Sequence, residues 1–210
     1  MIAHDDFASE PVPGLPARPP LGEEILWQGR PASFALARDA YKITWFAGYF
    51  VVLAIWRATI IGNTFAEGVL VTLPYLGLGL AFCAIIYLVA IIQSRATLYT
   101  VTTSRVAMRI GAALTVTLNV PFKQVANATL AQHHKGTGSI ALETMGDTTI
   151  SYLVCWPHVR PWHLAKTQPM LRCIPDAARV AKLLADAAQT RLNQPVVTLA
   201  QSGLAMTPAE

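Results

Sequence analysis

Gly68-VLVTLPYLGLGLAFCAIIYLVAIIQ-Ser94 is a run of twenty-seven residues without a charge. A membrane-crossing helix needs ~20 apolar residues to traverse ~30 Å of hydrocarbon, and the core of this run, Val69 to Ile92, exceeds that. Pro74, Gly77 and Gly79 fall inside it, and such residues are tolerated in membrane helices. The soluble alternative would be a long helix apolar on every face, for which a chain of 210 residues has little interior.

A second span precedes it. Between Lys42 and Glu67 the only charge is Arg57, so a helix over about 43–62 is long enough to cross. Arg57 then lies near one end, where its stem is expected to reach the headgroups as an anchor rather than serve as a buried functional site. Trp45, Tyr49 and Trp56 add interfacial anchoring. Gly62-Asn63 reads as a turn, which makes 43–93 a helical hairpin with spans over about 43–62 and 69–92.

Basic residues set the expected orientation. Arg30, Arg38 and Lys42 precede the first span, and Arg95, Arg105 and Arg109 follow the second. The connecting loop offers only Arg57, with Glu67 beside it, so both termini are expected on the cytoplasmic side of a multi-pass protein. Met1 to Gly22 carries Asp5, Asp6 and Glu10 and no apolar signal-peptide core, so the hairpin itself is expected to direct insertion. Hydrophobic residues make up 53% of the chain and charged ones 13%, below the usual charged content of a soluble domain. The net charge of +4 follows from the flanks of the spans and points to no nucleic acid. Cys83, Cys155 and Cys173 lack paired spacing, so neither a disulfide framework nor a metal site is expected.

Outside the hairpin the chain divides further. Residues 1–22 hold five prolines and little to bury, and read as an extended or disordered tail. Within it His4-Asp5-Asp6-Phe7 combines acid and aromatic character, either as a docking peptide for a partner or as plain solvated tail. Residues 23–42 form a lead-in segment at the membrane surface, where Ser33 can cap a short helix carrying Phe34, Leu36 and Tyr41. From Ala96 onward the pattern becomes short and alternating, and Leu114 to Val120 has period-two alternation. Further strands are expected over Ala96–Thr102, Val106–Ile110, Val125–Gln132, Ser139–Thr144, Thr148–Val154 and Met170–Ile174. Asp176 then caps a helix that stacks Val180, Leu183, Leu184 and Ala187 on one stripe. Seven short strands and one amphipathic C-terminal helix over 95–190 fit the plan of a pleckstrin-homology (PH) barrel, with a split sheet and packed helix as the rival. Residues 191–210 read as a frayed tail.

Two sets of residues carry a resemblance. Leu98-Tyr99-Thr100-Val101-Thr102-Thr103-Ser104-Arg105-Val106, the turn at Gly111, and Val120-Pro121-Phe122-Lys123-Gln124-Val125 resemble the bacterial membrane-linked PH-like domain. His4 to Phe7, Pro11 to Pro16, Trp156 to Trp162 and Arg172 to Ala181 resemble the PuhB family of photosynthetic-complex assembly proteins from purple bacteria, and this likeness extends over the whole chain. The resemblance implies an α+β membrane protein: a two-helix transmembrane hairpin followed by a cytoplasmic PH-like antiparallel β-barrel with a C-terminal helix. It implies residence in the bacterial inner membrane, cytoplasmic or intracytoplasmic. It also implies a non-enzymatic factor helping to build the reaction centre and core light-harvesting complex, with their subunits, other assembly factors and a second copy of the chain as partners. It brings no catalytic residues.

The chain's own chemistry agrees with a non-enzyme. Gly77-Leu78-Gly79 lies in a span, and Gly136-Thr137-Gly138 lacks the Lys-Ser/Thr of a phosphate loop. There is no nucleophile elbow or metalloprotease motif, and Glu143 and Asp147 sit in or beside a hairpin turn. No cofactor is expected. Trp156-Pro-His158-Val-Arg160-Pro-Trp162-His163 is a proline-bounded loop whose Trp156, Arg160 and Trp162 are of hot-spot type, so it is a candidate partner surface, with packing on membrane or barrel as the alternative. His158 and His163 are the candidates for a bacteriochlorophyll magnesium, weighed against ordinary loop packing. Adjacent His133 and His134 point to opposite faces of a strand. Gly48, Gly77, Gly79 and Ala81 offer small surfaces for helix packing. The early strand loops are poor in charge, which weakens a lipid-binding reading of the PH module.

Overall fold

The computed structural model describes residues 11–61, 64–112, 115–133, 136–146 and 150–193. Asp5, Asp6 and Phe7 therefore lie outside the described residues. The two apolar runs are helices: α2 over Ile43–Ile61 and α3 over Phe65–Ala96. Both are long and apolar enough to cross a membrane. Their side chains face outward along almost the whole length, with Ala54 the one buried residue of α2. The two helices pack side by side, Phe46 against Phe82 with ring centroids 5.1 Å apart. Glu67, expected only as a loop charge, closes a capping box with Thr64 that satisfies donors at the start of α3. Arg57 does not extend away from the hairpin: its guanidinium carbon lies 5.9 Å from the centre of the Tyr75 ring on α3.

Both feet of the hairpin enter a β-sheet. Strand β1, Ile25–Gly29, leads through helix α1, Ser33–Asp39, into α2, while only Thr97 separates α3 from strand β2, Leu98–Thr102. β1 then pairs antiparallel with β2, so the two chains leaving the hairpin are hydrogen-bonded to one another at its base. β1 was expected as lead-in segment, not strand, and α1 begins one residue after an Ala32 cap, so Ser33 is its first helical residue rather than its cap. β3 (Arg105–Ile110) and β4 (Val116–Pro121) complete a four-stranded sheet in the order β1-β2-β3-β4. β5 (Val125–Gln132), β6 (Thr137–Thr144) and β7 (Met170–Pro175) form a separate three-stranded sheet.

The expected closed barrel is therefore corrected to two antiparallel sheets. A 3-10 turn over Phe122–Gln124 interrupts the ladder between β4 and β5, and Phe122 turns into the core there. Of the expected strand over Thr148–Val154, Thr148 and Thr149 lie outside the described residues, Tyr152–Cys155 is a short helix, α4, and β1 supplies the seventh strand among the described residues. Both sheets share one core with helix α5, Ala177–Asn193, which contributes Ala177, Val180, Leu184 and Ala187 while Arg179, Lys182 and Asp186 stay exposed. Burying a side chain such as Leu184 is worth roughly 1.5–3 kcal/mol.

The later part of the N-terminal segment is held on the sheet. Leu15 is buried, and the Gln28 side-chain amide donates to the Pro13 carbonyl and the Thr100 hydroxyl, each at 3.0 Å. Glu23 receives Arg105 through two nitrogens, each at 2.8 Å, and the Thr102 hydroxyl at 2.7 Å. The Arg105 hydrogen bond, ahead of the other causes, holds the Glu23 carboxyl below its ordinary range.

Candidate partner-contact loop

The loop after α4 is fixed from below by buried polar groups. His158 is fully buried; one ring nitrogen, Nδ1, lies 2.6 Å from the Tyr99 hydroxyl and the other, Nε2, 3.1 Å from the Thr97 hydroxyl. The Arg172 backbone N–H donates to the Tyr99 oxygen at 3.2 Å. We therefore assign the tyrosine proton to Nδ1, which leaves Nε2–H to donate to Thr97. Burial, reinforced by the nearby Arg172 charge, drives the His158 pKa down to about 3, so the ring stays neutral.

Arg172, itself nearly buried, ties the loop to α1. One terminal nitrogen donates to the Pro157 carbonyl at 2.9 Å and the other to the Asp39 carbonyl at 3.0 Å. Asp39 ends α1, so the cation meets the negative end of that helix. The Ala32 N–H donates to the Cys173 carbonyl at 2.8 Å, docking the start of α1 on β7. Burial pushes the Cys173 thiol up to about 11, which keeps it protonated and inert. Helix α1, the end of α3, β2, β7 and the loop thus form one rigid junction.

On this base the expected contact residues separate. Trp156 follows α4, is 45% exposed, and packs edge-on against Tyr41 with centroids 5.2 Å apart. Arg160 is held by the Gln168 side chain at 3.0 Å, and its N–H donates to the Gln168 carbonyl at 2.9 Å. Trp162 is 92% exposed on a backbone with φ of 64°, a conformation that L residues seldom adopt. The loop is closed at its neck by a bridge between Val159 and Pro169. Trp156 and Trp162 therefore stand at different ends of the loop, where the sequence had grouped them.

The two histidines also part. His158 has both nitrogens engaged inside the domain, so it is a structural residue with none left for a magnesium ion. His163 is half-buried and its Nδ1 donates to the Pro161 carbonyl at 2.9 Å, so it is the member of the pair still able to offer a ring nitrogen. The small residues divide in the same way. A Cβ built on Gly79 would stand 2.7 Å from the Phe50 Cβ, so Gly79 is what lets α2 and α3 close. Gly48 and Gly77 have nothing within 4 Å of such a Cβ, and Ala81 is exposed, so these three lie off the helix contact. The described residues contain no cluster of metal-ligating side chains.

A PH-type domain built onto an apolar helical hairpin defines the class, and the chain belongs to the bacterial PH domain family, whose match covers residues 43–188. A protein of Rhodobacter capsulatus, described as an uncharacterized 23.7 kDa protein in the puhA 5' region, is 47% identical over 216 residues, with 100% of each chain covered. Among solved structures, a DUF1696 family protein with a pleckstrin-homology domain from Shewanella loihica PV-4 is 12% identical. That match covers 44% of this chain and 71% of the other at a TM-score of 0.30, a likeness too low to bear on the fold.

Proposed function

We propose that this protein is a non-enzymatic membrane assembly factor for the photosynthetic reaction centre and its core light-harvesting complex, of the PuhB type. In this reading α2 and α3 cross the bacterial inner membrane, both termini are cytoplasmic, and the PH domain presents a protein-contact surface at the membrane side. The observation that supports it best is full-length likeness to the Rhodobacter capsulatus protein of the puhA 5' region, joined to the family-type segments at both ends of the chain. The rigid junction gives the contact a physical basis. Trp162 projects from a loop whose neck is bridged and whose base is bonded to α1, and half-buried Arg160 is braced there against Gln168, so little backbone ordering cost is added on binding.

Deleting the gene in a phototrophic host tests this. Reaction-centre and core-antenna absorbance should fall with transcript levels unchanged, and the wild-type chain should restore it. An Arg160→Ala, Trp162→Ala double variant that inserts normally should restore it poorly. Undiminished complexes in the deletion strain would refute the proposal.

A further inference from the structure

The outward apolar surface continues past the start of α2. Phe46 lies on Phe82 and Phe50 against Gly79, an antiparallel stagger that sets Ile43 roughly level with residue 85 of α3. From that level α3 runs about 10 Å further to Ile92, and Leu88, Val89 and Ile92 are exposed along it. Alongside these last turns sits α1, joined to them where the Ser94 hydroxyl donates to the Pro31 carbonyl, with Phe34 exposed. Tyr41, two residues before α2, carries Trp156 edge-on, and Arg172 clamps the Pro157 and Asp39 carbonyls together. Helix α4 therefore cannot leave this layer without breaking the junction. Leu153 on α4 is 85% exposed and Val154 is exposed beside it.

We propose that α4 and Trp156 dip into the phospholipid interface beside α1, a second, lipid-borne attachment that holds the PH domain flush against the membrane. The proposal rests on the reading that the hairpin crosses a bilayer. The occupant is the bilayer because Tyr41 and Trp156 stand at the level of the exposed last turns of α3 and the patch has the composition of an interfacial belt: a tryptophan and a tyrosine in contact, with exposed aliphatic side chains on α4. Lys42 and Arg95, both exposed, sit at the entry to α2 and near the end of α3, where anionic headgroups would meet them. Tight seating would fix the height at which Arg160 and Trp162 meet a partner.

Nitroxide accessibility in the full chain tests this, in nanodiscs of phosphatidylcholine and phosphatidylglycerol. Cys83→Ala gives the background, since Cys155 and Cys173 are buried. Labels are placed by Leu153→Cys, by Leu80→Cys as an outward mid-helix reference, and by Lys182→Cys as an exposed reference on α5. The expected result is an oxygen-to-nickel collision ratio at 153 several-fold above that at 182 and below that at 80. A label at 153 that matches 182 while 80 reads as lipid overturns the seat and leaves the hairpin standing. A label at 153 shielded from both reagents assigns the patch to a protein partner and also overturns it. Free nickel access at 80 would refute the crossing hairpin and the seat with it.

Discussion

Replacing His158 should cost the PH domain stability and make that stability less sensitive to acid. His158→Ala leaves the Tyr99 O–H without its acceptor and the Thr97 hydroxyl without its donor, and opens a space under the loop. Unmatched polar groups cost about 1–3 kcal/mol each, so two of them together with the cavity come to about 3 kcal/mol or more, a large share of the roughly 5–15 kcal/mol that holds a domain together. His158→Phe fills the space but supplies neither the acceptor for Tyr99 nor the donor for Thr97, so it should fall about 1–2 kcal/mol short of the alanine cost. Burial holds the folded ring's pKa at about 3 against the ordinary histidine value of 6.5, so below neutrality the unfolded chain takes up a proton that the folded one refuses. The contribution is complete above pH ~6.5 and is lost as pH falls toward 3, at up to about 1.4 kcal/mol per unit, or roughly 2 kcal/mol by pH 5. The assay is denaturant unfolding of the full chain in nanodiscs, followed by β-sheet circular dichroism between pH 8 and 5. Wild-type stability should drop over that range and both variants should lose most of the slope. A cost under about 1 kcal/mol for His158→Ala, or a slope kept by His158→Phe, would refute the buried network.

Three further outcomes are expected. Gly79→Leu drives a side chain into Phe50 and should destabilise the hairpin by about 1–3 kcal/mol in thermal unfolding, while Gly77→Leu, with open space, should change little. Glu23→Gln weakens the paired bonds from Arg105 and should cost about 1–2 kcal/mol. Because the Arg105 hydrogen bond holds the Glu23 carboxyl below its ordinary value of 4.5, its contribution is full above that pH and is lost as pH falls through the folded value. A denaturation series from pH 5 downward should show a shallower acid loss in the variant. Trp162→Ala, at a 92% exposed position, should leave the melting temperature unchanged while lowering partner capture, and a shift of several degrees would mean that the ring packs in the fold.

The hairpin and α5 were legible because their signals are local. A charge-free run of helix length and an apolar stripe at helical spacing need no knowledge of the rest of the chain. Gly79 could be named from the sequence but not separated from Gly77, since only the stagger against Phe50 decides which one faces the partner helix. Strand β1 was hidden because Ile25, Leu26 and Trp27 are consecutive apolar residues without alternation. A register shift between Ile25 and Trp27 lets them pair with β2 nonetheless. Thr148–Val154 has the composition of a strand, yet the Tyr152–Cys155 end of it forms α4, whose Cys155 packs in the core. Closure of the barrel depends on hydrogen bonds between distant edges, for which no residue pattern speaks.

The buried role of His158 is not legible in the sequence, because a polar residue between two prolines looks like surface. A signal was present on the other side of the contact: β2 is buried along both faces, so Tyr99 and the flanking Thr97 needed polar partners inside. Arg172 carried the same hint, a cation in a strand otherwise apolar enough for the core. Together these residues turn the loop from a flexible surface feature into an extension of the hairpin's base, which is what makes a contact function physically sound for its far end.

Whether the chain acts as an assembly factor is decided by a tagged pull-down from mildly solubilised phototrophic membranes, with polypeptides and bacteriochlorophyll quantified together. Reaction-centre or core-antenna subunits should be enriched, less so with the Arg160→Ala, Trp162→Ala variant and equally with His163→Ala. Recovery of the protein alone, or of pigment that disappears with His163 and brings no such subunits, would contradict the assembly role.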